Sequence, residues 1–417
     1  MEHVFNDPAV LGAYAGGDIL LEDTEVHVLD WLDGLEYPFA RSLPVEQLVH
    51  STPIFRIISF PDRNGPETPL TKGLLWLVRH YSIPTALLEG EIRSVTHSFG
   101  SLDTADGYRC CWFNYLCKNV TVAEVPGSGP IVAGPVTGLH NRQSDYTWIR
   151  SAFFLRWCLR PSKAPNVTLI CFGENMAMSR LQRLSYKAVK EGIVHDPVSL
   201  FVVVLHELSG WMDKTVWKLS SVFGPIEFRA LDLDRDRESF TGLHNISKQM
   251  IFLQESSDAA LETIKNLTEY HAGLSPSGTE KERAAVRTTR TAITQVETEF
   301  QTVRLRLRSL DRRMQNVISL SFHLVTQEGN EFLRVDSKTM ATIAFVTLIF
   351  LPITTVSTIF GSQFFNTAQD NASIEVSKDF WIFWVISIPL TLAVLLGWSL
   401  WQRRGVVGDH AAWRRAL

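Results

Sequence analysis

A chain of 417 residues is long enough for two or three structural units, and a formal charge of −4 excludes a general nucleic-acid binder with a broad basic face. With 45% hydrophobic and 20% charged residues the average looks like that of a soluble protein. The average conceals an asymmetry, because the last fifth of the chain is far more apolar than the rest.

The first residues, MEHVFNDPAV, are acidic and polar, which is neither a secretory signal nor an Arg-rich transit peptide. Residues 1–235 read as a mixed α/β domain. Strand-like apolar runs cover 54–60, 110–117, 149–158 and 167–172, and helical patterns cover 70–81, 175–191 and 197–223. The five cysteines, Cys110, Cys111, Cys117, Cys158 and Cys171, are odd in number, form no C-x-x-C pair and lie in apolar segments. Reduced, buried thiols fit that pattern better than zinc ligands or disulfides.

Three local motifs fail as sites. VPGSGPIVAGP reads as a loop, and its GSG lacks the strand–helix setting of a nucleotide fingerprint. LHELSGW holds His206 and Glu207, but Gly210 stands where the H-E-x-x-H zinc motif needs its second histidine. DLDRDRE imitates a calcium loop, yet Arg237 replaces the turn glycine and Leu243 the bidentate glutamate, so a solvated charge run is the better reading. No nucleophile–base pair and no metal-ligand spacing remains, so the chain is expected not to be an enzyme and to need no cofactor.

Residues 236–338 read as a helical stalk. One helix, about 239–271, keeps three-four spacing through Leu243, Ile246, Met250, Leu253, Ala260, Ile264 and Leu267. The turn AGLSPSG then folds the chain back. From 279 to 360 there is no proline except Pro352 and no glycine except Gly329, so one helix of ~120 Å is expected, entering the membrane. Its seam runs through Val286, Thr289, Ile293, Val296, Phe300, Val303, Leu307, Leu310, Met314, Val317, Ser321 and Leu324. That spacing is coiled-coil-like, and the seam alone does not fix an oligomer.

Two uncharged runs follow, 339–360 and 380–402. Each spans ~30 Å as a helix, the thickness of a hydrocarbon core. The second carries Phe380, Trp381, Phe383 and Trp384 at one end and Trp398 and Trp401 at the other, an interfacial belt. We read transmembrane helix 1 over 339–361, a loop over 362–379, transmembrane helix 2 over 380–402 and a basic tail over 403–417. Arg334 and Lys338 precede the first span and Arg403, Arg404, Arg414 and Arg415 follow the second, whereas the loop holds Asp370, Glu375 and Asp379 against Lys378. The positive-inside rule then places both termini in the cytosol and the loop outside. Asn371-Ala372-Ser373 becomes a glycosylation acceptor by position.

Placed at about 100° per residue, Met340, Ile343, Thr347, Leu351, Thr354, Thr358 and Gly361 share one stripe about 80° wide. Phe345, Ile349, Ile353, Val356 and Phe360 occupy the opposite side. Such a stripe serves ordinary helix packing, or it lines a conduit in which neutral oxygens meet the water shell of an ion. It ends on Gly361, Ser362 and Gln363, where the helix leaves the membrane.

The long helix entering the membrane, FLPITT within it, the glycine-polar-polar exit, the short acidic loop and the aromatic second helix together resemble the CorA metal-ion transporters. GLHNISKQMIFLQESSDAALETI, TGLHNRQSDYTWI and LICFGEN are similar to the CorA-like proteins of fungi. The resemblance implies a homopentameric ion channel in the membrane, plasma or organellar, moving Mg²⁺ or a related divalent cation down its gradient. It further implies that the long helix lines the pore and that Mg²⁺ acts as a regulatory ion between cytosolic domains. The pore would be lined by Met340, Ile343, Thr347, Leu351, Thr354 and Thr358, with Gly361, Ser362 and Gln363 as its entrance and the hydrated ion near Gln363. The family's entrance reads Gly-Met-Asn, so this chain keeps the glycine and lengthens the amide by one methylene. A second reading therefore stands beside transport: a membrane-anchored scaffold or regulatory subunit that no longer conducts.

Overall fold

The computed structural model describes residues 25–32, 38–50, 53–60, 71–92, 97–125, 129–132, 146–158, 167–173, 181–182, 192–229, 237–274, 279–360, 365–367, 374–376 and 378–413. The chain divides into two compact units, Met1–Ser319 and Leu320–Leu417.

In the first unit seven strands form one mixed sheet: β1 (Glu25–Trp31), β2 (Phe39–Pro44), β3 (Phe55–Phe60), β4 (His97–Asp103), β5 (Tyr108–Val120), β8 (Tyr146–Cys158) and β9 (Val167–Gly173). Their order is β2-β1-β3-β9-β8-β5-β4, with every pair antiparallel except β3–β9. A separate hairpin joins β6 (Val122–Val125) to β7 (Gly129–Val132), pairing Ala123 with Ile131. The loop expected over VPGSGPIVAGP is thus corrected: 129–132 is a strand, because its backbone finds a partner in the segment just before the turn.

Both faces of the large sheet are buried, which explains why its central strands read as unbroken apolar runs instead of alternating ones. One face, with Val28, Ile58, Trp112, Phe154 and Ile170, packs on helices α1 (Lys72–Tyr81) and α2 (Thr85–Ile92). The other, with Phe55, Cys111, Phe113, Phe153 and Leu169, packs on the long helices α3 (Ser199–Arg229), α4 (Arg237–Gly273) and α5 (Glu280–Phe360). Gly173 closes β9 at φ +84°, and a Cβ there would lie 1.9 Å from the Arg150 carbonyl oxygen, so only glycine fits.

The four strand runs read from sequence fall on β3, β5, β8 and β9, while β1, β2, β4, β6 and β7 add pairs that the sequence reading omits. The helical pattern at 175–191 lies almost wholly outside the described residues, as does DLDRDRE up to residue 236. The α5 seam is buried inside the chain from Thr289 to Val317, with Phe300, Leu307 and Met314 fully enclosed beside α3 and α4. Salt bridges flank it: Arg304 to Asp258 on α4 at 2.7 Å, and Arg306 and Arg313 to Asp213 and Glu227 on α3.

In the second unit, α5 continues to Phe360, a two-strand ribbon joins β10 (Phe365–Thr367) to β11 (Ile374–Val376), and α6 (Phe380–Trp413) completes the pair of helices. The ribbon occupies part of the segment read as a loop, and α6 runs on through most of the basic tail.

Candidate transmembrane conduit

Two stretches are long and apolar enough to cross a membrane, Asp336–Ile359 on α5 and Phe380–Leu400 on α6. At 1.5 Å per residue they measure ~36 Å and ~31 Å. Their side chains face outward as lipid-facing residues must: Trp381, Val385, Ile388, Leu392 and Leu396 on α6 are all exposed in the single chain.

The two helices meet through one side of α5. The Phe345 ring lies 5.9 Å from that of Trp398, and Pro352 and Val356, on the same side, are buried. This is the side that the sequence reading placed opposite the threonine stripe. Met340, Ile343 and Leu351 on the stripe are 67, 62 and 61% exposed, and Thr347, Thr354 and Thr358 are exposed with them. The stripe therefore does not serve packing between α5 and α6 of one chain.

Along this face runs a shallow, open groove of about 610 Å³, lined from Val346 to Ile359 and carrying Thr347, Thr354, Thr355 and Thr358. Every one of these hydroxyls donates to the carbonyl four residues back: Thr347 to Ile343 and Thr355 to Leu351 at 2.8 Å, Thr354 to Phe350 at 2.5 Å, and Thr358 to Thr354 at 2.8 Å. The proton is thereby committed to the backbone, and the oxygen presents lone pairs to the groove as an acceptor. Pro352 cannot donate to the Leu348 carbonyl, and among the described residues no threonine hydroxyl reaches that carbonyl either.

Gly361, Ser362 and Gln363 lie outside the described residues, as does Asn371-Ala372-Ser373. Six of the nine residues named from sequence therefore share one exposed face, and the three at the entrance are not placed.

Polar clusters in the first unit are structural. His206 Nδ1 lies 2.8 Å from a Glu299 carboxylate oxygen that also accepts from Ser209 Oγ at 2.7 Å, so the histidine of LHELSGW ties α3 to α5. Buried Asp30 accepts from Arg56 at 2.6 and 3.0 Å and from Arg41 at 2.7 Å. His271 Nε2 meets Asp196 at 2.8 Å, both buried, and Asp196 Oδ1 accepts from the Val198 N–H at the start of α3. No group of three or more metal-ligating side chains exists among the described residues. Burial pushes the Cys110 thiol up to about 12 and the Cys117 thiol to about 11, so both are inert neutral core residues.

A mixed-sheet domain, long helices and two apolar C-terminal helices define a two-pass integral membrane protein. The family model described as CorA-like Mg²⁺ transporter protein matches residues 174–404, more than half the chain, and the protein belongs to that family. The family is one of transporters, not of enzymes. Among curated proteins, Notoamide biosynthesis cluster protein M' of Aspergillus versicolor is 32% identical over 165 residues, 38% of this chain and 36% of that protein. The chain thus matches about a third of the length of this relative. Among solved structures, the CorA magnesium transporter of Methanocaldococcus jannaschii matches with a TM-score of 0.44 at 12% identity, covering 89% of this chain and 96% of that one. The full-length CmaX protein matches with a TM-score of 0.44 at 15% identity, covering 93% and 99%. Likeness this distant adds nothing to the family match.

Proposed function

We propose that the chain is one subunit of an oligomeric conduit, a homopentamer as the family resemblance implies, through which hydrated Mg²⁺ or a related divalent cation crosses a membrane. The observation that carries this reading is the threonine face of α5. It is exposed, it lies opposite the side that meets α6, and its hydroxyls are fixed as acceptors. Water bound to a cation turns its hydrogens outward, so a cation's hydration shell needs acceptors around it. Mg²⁺ dehydrates reluctantly, and neutral oxygens that touch only its water hold it weakly enough for release. One such helix encloses nothing, so several copies must surround the path.

In this arrangement Met340, Ile343, Thr347, Leu351, Thr354 and Thr358 line the path, and Gly361, Ser362 and Gln363 form its outer entrance. Both termini face the cytosol, in the plasma membrane by preference. A second reading, a non-conducting scaffold or regulatory subunit, rests on Ser362 and Gln363 standing where the family has Met and Asn.

Mg²⁺ uptake by transport-deficient cells expressing the full chain separates the two. The conduit restores uptake in the wild type and loses it in Gly361→Ala. Uptake that appears only after Ser362→Met with Gln363→Asn assigns the native protein to the scaffold.

A further inference from the structure

The exposed stripe does not begin at Met340. Carried back at the same three-four spacing, Phe322, Val325, Gly329, Leu333 and Asp336 fall within the same sector of about 80°. Phe322, Val325 and Leu333 are exposed in the single chain, like the members that follow. From Phe322 to Thr358 this stripe contains a single charged residue, Asp336.

Asp336 is also the first residue of the 24-residue span, and it is exposed. It forms no hydrogen bond or ion pair among the described residues. Lys338, equally exposed, points away, about 160° around the helix from Met340. At the membrane boundary α5 thus sorts its charges by side. The base lies on the side of α5 that turns toward α6, and the acid lies on the threonine face. An acid at the edge of a span fits the interior of an assembly better than the lipid side, where the anionic headgroup surface that attracts bases repels it.

The threonine oxygens select for the orientation of a hydration shell, but they are neutral, and the amide of Gln363 is neutral too. Neither supplies the net field that excludes anions. We propose that Asp336, one per subunit around the cytosolic end of the path, is the fixed charge that makes the conduit cation-selective. It acts at a distance on hydrated ions and not as a ligand. This rests on the conduit reading of the threonine face. Acidic rings are a recurrent source of cation selectivity, and a low-dielectric wall focuses such a field enough to raise local counter-ion concentration tenfold or more.

The test is the reversal potential of Mg²⁺ salt currents across a bilayer holding the full chain under a concentration gradient. Asp336→Asn is expected to lower the cation-over-anion permeability ratio about tenfold, whereas Asp336→Glu and Lys338→Gln keep it within about twofold. Because Asp336→Asn can misassemble, Asp336→Cys is modified in place with methanethiosulfonate reagents of either sign, and reagent-treated wild type serves as control. The anionic adduct should restore cation preference and the cationic adduct should reverse it. A conducting Asp336→Asn with unchanged ratio, or adducts of both signs giving one ratio, overturns the proposal and leaves the conduit standing. A wild type that inserts and passes no Mg²⁺ overturns both.

Discussion

Thr354 illustrates how one side chain can be polar and yet stay neutral within a membrane. Its Oγ1 gives its proton to the Phe350 carbonyl, one turn back, and keeps its lone pairs for the open face. Thr354→Val preserves shape and removes the acceptor. We expect Mg²⁺ flux to fall at least about fivefold, the worth of a single hydrogen bond, because every subunit loses an acceptor, with helix content by circular dichroism unchanged. Elsewhere, buried Asp30 holds both Arg56 and Arg41. Asp30→Ala strands the buried Arg56 guanidinium, and unfolding should become easier by about 3–5 kcal/mol.

Lys118 gives a third residue-scale expectation. Its ammonium is packed over the Phe252 ring at 3.4 Å and the Trp148 ring at 4.8 Å. Burial, together with the nearby Lys248, lowers its pKa to about 8. Above pH 8 the folded chain has released a proton that the unfolded lysine still holds, so stability rises with pH. The raised thiols of Cys110 and Cys117 act oppositely, since the unfolded thiols ionise near their ordinary value of 9.0 while the folded ones do not. Stability should therefore climb from pH 8, pass a maximum near 9 and fall beyond it. Lys118→Met should lack the rising limb and keep the falling one in thermal melts across that range.

At the scale of the element, α5 is one helix with two different apolar faces. Its seam at Phe300, Leu307 and Met314 is buried within the chain, whereas the stripe through Phe322, Met340 and Leu351 is open. Phe300→Ala should cost about 3–5 kcal/mol in denaturant unfolding of the full chain. Leu305→Ala, at a site 64% exposed, should change it by less than about 0.5 kcal/mol. Both faces were legible in the sequence, because three-four spacing records burial and because charge is absent from 339–360. The spacing could not say what covers each face. That required the side opposite the threonines to be seen against α6, through Phe345 and Trp398. Asp336 was missed for a related reason: a charge flanking a span reads as a boundary until its angular position is compared with that of Lys338.

At the scale of the whole molecule, the central strands of the sheet announced themselves because both faces are covered, as in YRCCWFNYLC. The outer strands did not. β2 (FARSLP) is largely exposed and β4 (HSFGSLD) carries little apolar pattern, so each is a strand mainly because a neighbour offers hydrogen bonds. The entrance was legible as a motif, and its altered spelling at Ser362 and Gln363 is where transport and scaffold readings part.

The most direct test is Mg²⁺ flux into liposomes reconstituted with the purified full-length chain, wild type beside Thr354→Leu. Gradient-driven Mg²⁺ entry is expected with the wild type, and its loss when leucine replaces the threonine acceptor. Correctly inserted wild type without entry, or equal entry with both proteins, would contradict the conduit.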